Sequence, residues 1–214
     1  MTKNSPTTGE QILARVSSVV LFRHAKAPST GPEQKDWDRK INDVGTGQAK
    51  KLAAKLEGAV FDTILSSPVP RVVETVEIAT GNTQVITLIG NFTCPTDGIH
   101  PIDVMANTPG YGYASMAKYL EHELAEHLII WGLEAATAFA NTLPDKPNQT
   151  VLVGGHAVLQ PAVAWGIIEM LRESGVAIPA EVEQLILNVN LKECEALKLS
   201  LNEGKITCEY LMLD

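Results

Sequence analysis

Apolar positions in this chain come in continuous runs and in helically spaced stripes, and the two kinds of segment take turns. The first run, Val19-Val20-Leu21-Phe22, stops abruptly at Arg23-His24, as a strand covered on both faces does where it leaves the core. Beyond the turn-forming residues 28–32 and a charged loop, Ala49, Leu52, Ala53 and Leu56 share one face of a helix that Gly58 closes. Residues 60–66 read as a second strand. Ser66-Ser67-Pro68 follows it, and a helix begins near Pro70 with Val72, Val73, Val76 and Ala79 on its buried side.

A third strand is expected over 84–88, then a long irregular stretch from Ile89 to about Gly112. Loops of that length are uncommon unless functional, so this one is a candidate wall or lid. Met116, Leu120, Leu124, Leu128, Trp131, Ala135 and Phe139 keep helical spacing, predicting one long helix over 113–141 or two with a break. Residues 150–155 form another β-rich run leading straight to His156. Val163, Ile167, Met170 and Leu171 mark the next helix, and a shorter one covers about 180–187. Residues 195–200 and 205–211 alternate about Asn202-Glu203-Gly204, the pattern of an antiparallel hairpin at a sheet edge.

Strands alternating with amphipathic helices predict an α/β fold: a three-layer α/β/α sandwich whose sheet is mostly parallel and ends in an antiparallel C-terminal edge hairpin. Residues 16–214 read as a single domain with a loop and helical insertion at about 89–142, preceded by a polar, loose segment at 1–15. With 214 residues, 45% hydrophobic and 20% charged, the chain has the composition of a soluble globular protein. Its net charge of -8 offers no general attraction to nucleic acid or to an anionic membrane, so an anionic ligand requires a local basic pocket. No apolar run reaches the length of a membrane span, and the first nine residues lack the apolar segment of a secretory signal, which sets the expectation of a cytoplasmic location. Cys94, Cys194 and Cys208 have neither metal-ligand nor CxxC spacing and are expected to be reduced.

Three strands thus end in Arg23-His24, in Ser67 ahead of Arg71, and in His156, and parallel strands would gather these ends on one sheet edge. Two arginines and two histidines suit a phosphoryl dianion. Arginine presents a planar fork of donors, and a neutral imidazole can attack phosphorus and form a covalent intermediate. Ser66 and Ser67 read as helix-capping residues, and Asp36, Asp38 and Arg39 as solvated loop charges. His122 and His127 are five apart, on different sides of a helix, and His100 has no second ligand at metal spacing. Trp131 and Trp165 fall on core stripes, whereas Trp37, Tyr111, Tyr113 and Tyr119 are candidates for facing a substrate or for plain surface positions.

The pieces also occur in a familiar order. Arg23-His24-Ala25 after a Val-rich strand, Ile41-Asn42-Asp43-Val44-Gly45-Thr46-Gly47-Gln48-Ala49, Ser66-Ser67-Pro68-Val69-Pro70-Arg71-Val72-Val73-Glu74-Thr75, and Gly154-Gly155-His156 resemble the histidine phosphatase superfamily, which includes the phosphoglycerate mutase-like proteins. The resemblance covers roughly residues 19–80 and 150–212. It implies a phosphoglycerate mutase-like fold and a metal-independent phosphatase with no cofactor. His24 would be the nucleophile that becomes phosphohistidine, Arg23 and Arg71 would bind the phosphoryl oxygens, and His156 would stabilise the transferring group. The substrate would be a phosphorylated small molecule or a phosphoprotein, with the oligomeric state left open.

Within the superfamily, Arg23-His24-Ala25-Lys26 followed by Asp38-Arg39-Lys40-Ile41-Asn42 looks most like the SixA-type phosphohistidine phosphatases, although Ala157-Val158 stands where those proteins usually show Asn-Pro. Many members place an acidic proton donor after the third strand in a Leu-x-Glu setting. Here Leu88-Ile89-Gly90-Asn91 offers none, and Asp97, the nearest carboxylate in the loop, is the candidate general acid. A good leaving group such as phosphohistidine would need no acid. The missing acid and Ala25 also leave room for a phosphate-binding regulatory module with little turnover.

Overall fold

The computed structural model describes residues 6–29, 35–82, 84–94, 96–202 and 204–213. Six strands form one sheet in the order β3-β2-β4-β1-β5-β6: β1 (Val16–Arg23), β2 (Thr63–Ser66), β3 (Ile86–Leu88), β4 (Gln149–Gly155), β5 (Ala196–Asn202) and β6 (Lys205–Leu211). β1, β4, β2 and β3 pair in parallel, while β5 is antiparallel to β1 and to β6, which completes the expected edge hairpin.

The continuous apolar run of β1 is explained by its central place. Val19 and Leu21 point into one core, and Val20 and Phe22 into the other. Val151 and Val153 of β4 join the first core and Leu152 the second, so alternate residues of each strand serve opposite faces. α2 (Asp43–Lys55) and α3 (Pro70–Thr80) cover the second face, through Ala49, Leu52, Val72 and Val76. α6 (Ala125–Thr142) and α7 (Leu159–Glu173) cover the first. The result is the predicted three-layer sandwich.

Two expectations are corrected. Residues 1–15 were expected to be loose; 1–5 lie outside the described residues, but Thr8–Arg15 form α1. Thr7 and Glu10 make a reciprocal capping box at its start, and Ile12 is fully buried. The helix lies close on α7: a Cβ on Gly9 would sit 2.1 Å from the Met170 carbonyl oxygen. The stretch 89–112 is also less irregular than its composition implied, since it holds a short 3-10 turn at Gly90–Phe92 and α4 (Pro101–Asn107). The expected helix over 113–141 is indeed broken, into α5 (Met116–Tyr119) and α6, with His122 accepting a hydrogen bond from the Leu124 amide at the break. α8 (Ala180–Asn188) completes the helices. No helix among the described residues is long and apolar enough to cross a membrane.

α6 and α7 make the most extensive helix–helix contact among the described residues, because Gly132 and Gly166 let their backbones meet. A Cβ on Gly166 would lie 2.4 Å from the Gly132 carbonyl oxygen. Gly166→Ala should therefore lose about 2 kcal/mol by forcing the helices apart, despite the better helix propensity of alanine. For a chain of this size that is a fall in Tm of about 5 °C. Gly47→Ala in α2, where a Cβ meets nothing within 4 Å, should instead leave Tm unchanged or raise it.

Candidate active site

The site lies just beyond the carboxyl ends of β1, β2 and β4. β1 and β4 are in register with Arg23 opposite Gly155, and β2 and β4 with Ser66 opposite Gly154. One further ladder bond on each side carries the pairing past the strands: the His24 amide donates to the Gly155 carbonyl at 2.9 Å and the Ser67 amide to the Gly154 carbonyl at 3.0 Å. His24, Ser67 and His156 consequently emerge side by side. The chain after His24 is fastened to both covering helices. The Ala25 amide donates to Thr75 Oγ1 of α3, which itself donates to the Arg71 carbonyl, and the Lys26 amide donates to Gln48 Oε1 of α2. Asn42, from the motif that opens α2, accepts the Gly45 amide as N-cap and donates its own amide to the Lys26 carbonyl.

His24 is buried and hydrogen-bonded so that only one neutral tautomer fits. Its Nδ1 is 2.7 Å from the Ala25 carbonyl, which can only accept, so Nδ1 carries the proton. Its Nε2 accepts from Arg71 Nε at 3.2 Å and holds the lone pair. Burial, and next the charge of Arg71, push the His24 imidazole down to about 3, so it is neutral at physiological pH. The half-buried His156 ring stands edge-on to it with centroids 5.4 Å apart, and Ser67 Oγ is 3.0 Å from His156 Nε2. Desolvation, then the neighbouring His24 and Arg71, hold His156 well below the ordinary histidine value.

Arg71, at the second position of α3, has each of its three nitrogens engaged. Besides Nε on His24, Nη1 donates to the Asp36 carbonyl at 2.7 Å and Nη2 to Asp36 Oδ2 at 2.9 Å. Arg23 Nη1 donates to the Leu191 carbonyl at 2.8 Å and Nη2 approaches Glu193 Oε1 at 3.4 Å, while its buried Nε has no hydrogen-bond partner among the described residues. The Arg23 guanidinium also sits 4.6 Å from the centre of the Tyr113 ring. These groups line one cavity of about 390 Å³ that also takes in Trp37, Arg39, Ile102, Asp103, Tyr119, Val158 and Leu159. No group of three or more His, Cys, Asp or Glu side chains able to hold a metal ion occurs among the described residues.

Of the sequence-derived candidates, Arg23, His24, Arg71 and His156 come together here. Asp97 does not. Its exposed carboxylate accepts the Ile99 and His100 amides at the start of α4, and these bonds hold it below the usual aspartate range. A group so stabilised as an anion outside the cavity lining has neither the position nor the proton of a general acid. Asp36 and Arg39, read from sequence as solvated loop charges, instead pair with each other in the cavity wall, with Asp36 bridging to Arg71. Asp38 is exposed and outside that wall. The serines do not cap α3, whose N-cap is Val69: Ser66 Oγ donates to the Ser67 carbonyl, and Ser67 serves His156. Trp37, Tyr113 and Tyr119 face the cavity, whereas Tyr111 stacks edge-on against Tyr119 and His122. Glu193 carried no signal in the sequence, because its nearness to Arg23 spans 170 positions.

Comparison with known proteins agrees with the motif reading. Residues 19–90 match the model of the histidine phosphatase superfamily (branch 1). No curated protein matches the sequence. Similar solved structures include a phosphoserine phosphatase from Entamoeba histolytica in complex with 3-phosphoglyceric acid, 17% identical, with a TM-score of 0.62 over 91% of this chain and 96% of that one. The protein histidine phosphatase SixA complexed with tungstate is 15% identical, with a TM-score of 0.53 over 92% and 96% of the two chains. A mycobacterial glucosyl-3-phosphoglycerate phosphatase is 18% identical, with a TM-score of 0.53 over 92% and 97%. At these identities the likeness is one of fold, and it bears out the phosphoglycerate mutase-like architecture.

Two outcomes follow from the electrostatics. With His24 held near 3, the unfolded chain binds a proton below about pH 6.5 that the folded chain refuses, so stability falls as pH drops from about 6.5 toward 3. The loss for this one group is up to about 1.4 kcal/mol per pH unit, and urea unfolding of His24→Asn between about pH 7 and 5 should show a shallower slope than wild type. Asp36 occupies the arginine that an incoming anion needs. Asp36→Asn should tighten binding of inorganic phosphate about fivefold, the effect of removing an ion pair of about 1 kcal/mol, measured by direct titration.

Proposed function

We propose that this histidine phosphatase superfamily chain is a phosphatase that hydrolyses a phosphorylated small molecule through a covalent phosphohistidine on His24. The observation that carries the reading is the His24 tautomer: Nδ1 is committed to the Ala25 carbonyl, which leaves the lone pair on Nε2, held by Arg71 Nε in a cavity that Arg23, Arg71 and His156 also line. In this reading Nε2 attacks phosphorus in line, the N–P bond forms, and the P–O bond to the leaving group breaks with its electron pair going to that oxygen. Water then attacks the phosphohistidine, the P–N bond breaks back to Nε2, and phosphate departs from a neutral His24.

Arg23 and Arg71 are the groups that would hold the equatorial oxygens, Arg71 after exchanging Asp36 for the substrate. Their charge is fixed before the reaction begins, so little reorganisation is needed as charge spreads over those oxygens. His156, oriented by Ser67, would donate to the same group. A cavity of about 390 Å³ supports a small-molecule substrate over a phosphohistidine-bearing protein, whose imidazole would have to reach into it from a folded surface.

The test is release of phosphate from 4-nitrophenyl phosphate with EDTA present. Wild type should turn over and, after acid-free quenching with a labelled phosphoryl donor, carry an acid-labile label. His24→Ala should lose at least about 10³-fold in kcat/KM and the label with it. An unchanged His24→Ala rate would overturn the nucleophile assignment, and a wild type that binds phosphate without turnover or label would favour the regulatory-module reading.

A further inference from the structure

Resting on the phosphatase reading above, we infer that the site selects phosphomonoesters of phenol-like alcohols: an apolar aromatic leaving group bearing no second negative charge. Two separate features of the cavity lead there. The first is what surrounds the phosphoryl-binding residues. Trp37, Ile102, Ala106, Tyr113, Val158 and Leu159 supply apolar or aromatic surface, and no lysine lines the cavity among the described residues. Among the described residues, the cations in the lining are Arg23, Arg71 and Arg39. Arg39 pairs with Asp36 and donates through Nη1 to the Pro28 carbonyl at 3.1 Å, and its Nε, without a partner among the described residues, is buried away from solvent. A carboxylate or second phosphate on the substrate would therefore meet a third arginine already neutralised by Asp36, and it would face Asp103 and Glu193 in the wall.

The second feature is how the carboxylates are held. Three line the cavity, and each already has protein partners. Asp36 is paired with Arg71 and Arg39, and Glu193 lies 3.4 Å from an Arg23 nitrogen. Asp103 accepts the Gly98 amide at 2.7 Å and Asn107 Nδ2 at 3.2 Å. Among the described residues, no carboxyl group in the lining is thus left without a protein partner to turn toward a leaving oxygen. A sugar or hydroxy-acid alkoxide leaves poorly without a proton, whereas a phenolate accepts the electron pair of the breaking P–O bond by itself and is protonated by solvent afterwards. The chemistry and the wall thus select the same class. The apolar ring packs where Trp37 and Ile102 offer surface, and its oxygen departs unassisted.

The experiment compares kcat/KM for phenyl phosphate with that for 4-carboxyphenyl phosphate and for 3-phosphoglycerate, in wild type and in Glu193→Gln. Phenyl phosphate and its 4-carboxy analogue have the same reacting bond, and the carboxy compound has the leaving group that is no poorer, so intrinsic reactivity does not favour phenyl. The expected result is a preference of at least tenfold for phenyl over 4-carboxyphenyl phosphate, a larger one over 3-phosphoglycerate, and a severalfold narrowing of the first ratio in Glu193→Gln. Equal or better turnover of either carboxylate substrate, with label still trapped on His24, would overturn the selectivity and leave the phosphatase standing. Absence of turnover and of label with every ester would overturn both.

Discussion

Crowding of positive charge at the exit of β1, β2 and β4 is the constraint to which the rest of the site answers. Two guanidinium groups and two imidazoles share a buried corner of a protein whose net charge is -8. All four cannot be cationic there, and the arginines do not give up their protons. The imidazoles yield instead, His24 to about 3 and His156 likewise well below its ordinary value. A neutral His24 with its lone pair on Nε2 is what a nucleophile at phosphorus requires, so the electrostatic solution and the chemical requirement coincide.

The remaining charge is balanced from the protein itself. Asp36 closes on Arg71 and Glu193 on Arg23, and both carboxylates come from segments outside the four strand and helix ends that carry the motif residues. Their presence keeps the arginines extended and partnered, and it also defines what else the cavity tolerates. Each carboxylate is thereby committed to an arginine, and each of these arginines meets an incoming anion only by exchanging that partner.

His24 is positioned by a series of backbone hydrogen bonds. The His24 amide continues the β1–β4 ladder, its ring proton is anchored on the next carbonyl, and the following two amides are tied to α3 and α2. Thr75 links this loop to the carbonyl of Arg71, so His24 and the arginine on its Nε2 are positioned by one connected set of bonds. On the far face the Gly132–Gly166 contact presses α6 against α7, the helix that directly follows His156 and its loop.

The order of buried strands and amphipathic helices was legible because both periodicities are local: an apolar run in β1 or β4, a stripe in α2 or α3. Arg23, His24, Arg71 and His156 could be grouped from sequence for the same reason, since each stands where such a run stops and parallel strands end on a common edge. α1 escaped because it is short and has only two buried residues, Gly9 and Ile12, the first of them close against α7 far along the chain, although its capping box was written in Thr7 and Glu10. What only the tertiary structure decided were the pairings between distant charges. Asp97 is held outside the cavity lining by the Ile99 and His100 amides just ahead of α4, while Asp36 reaches Arg71 across 35 positions and Glu193 reaches Arg23 across 170. Local pattern carries the period of an element and the residue at its end. Which carboxylate meets which arginine depends on how loops fold over the sheet, and no periodicity encodes that.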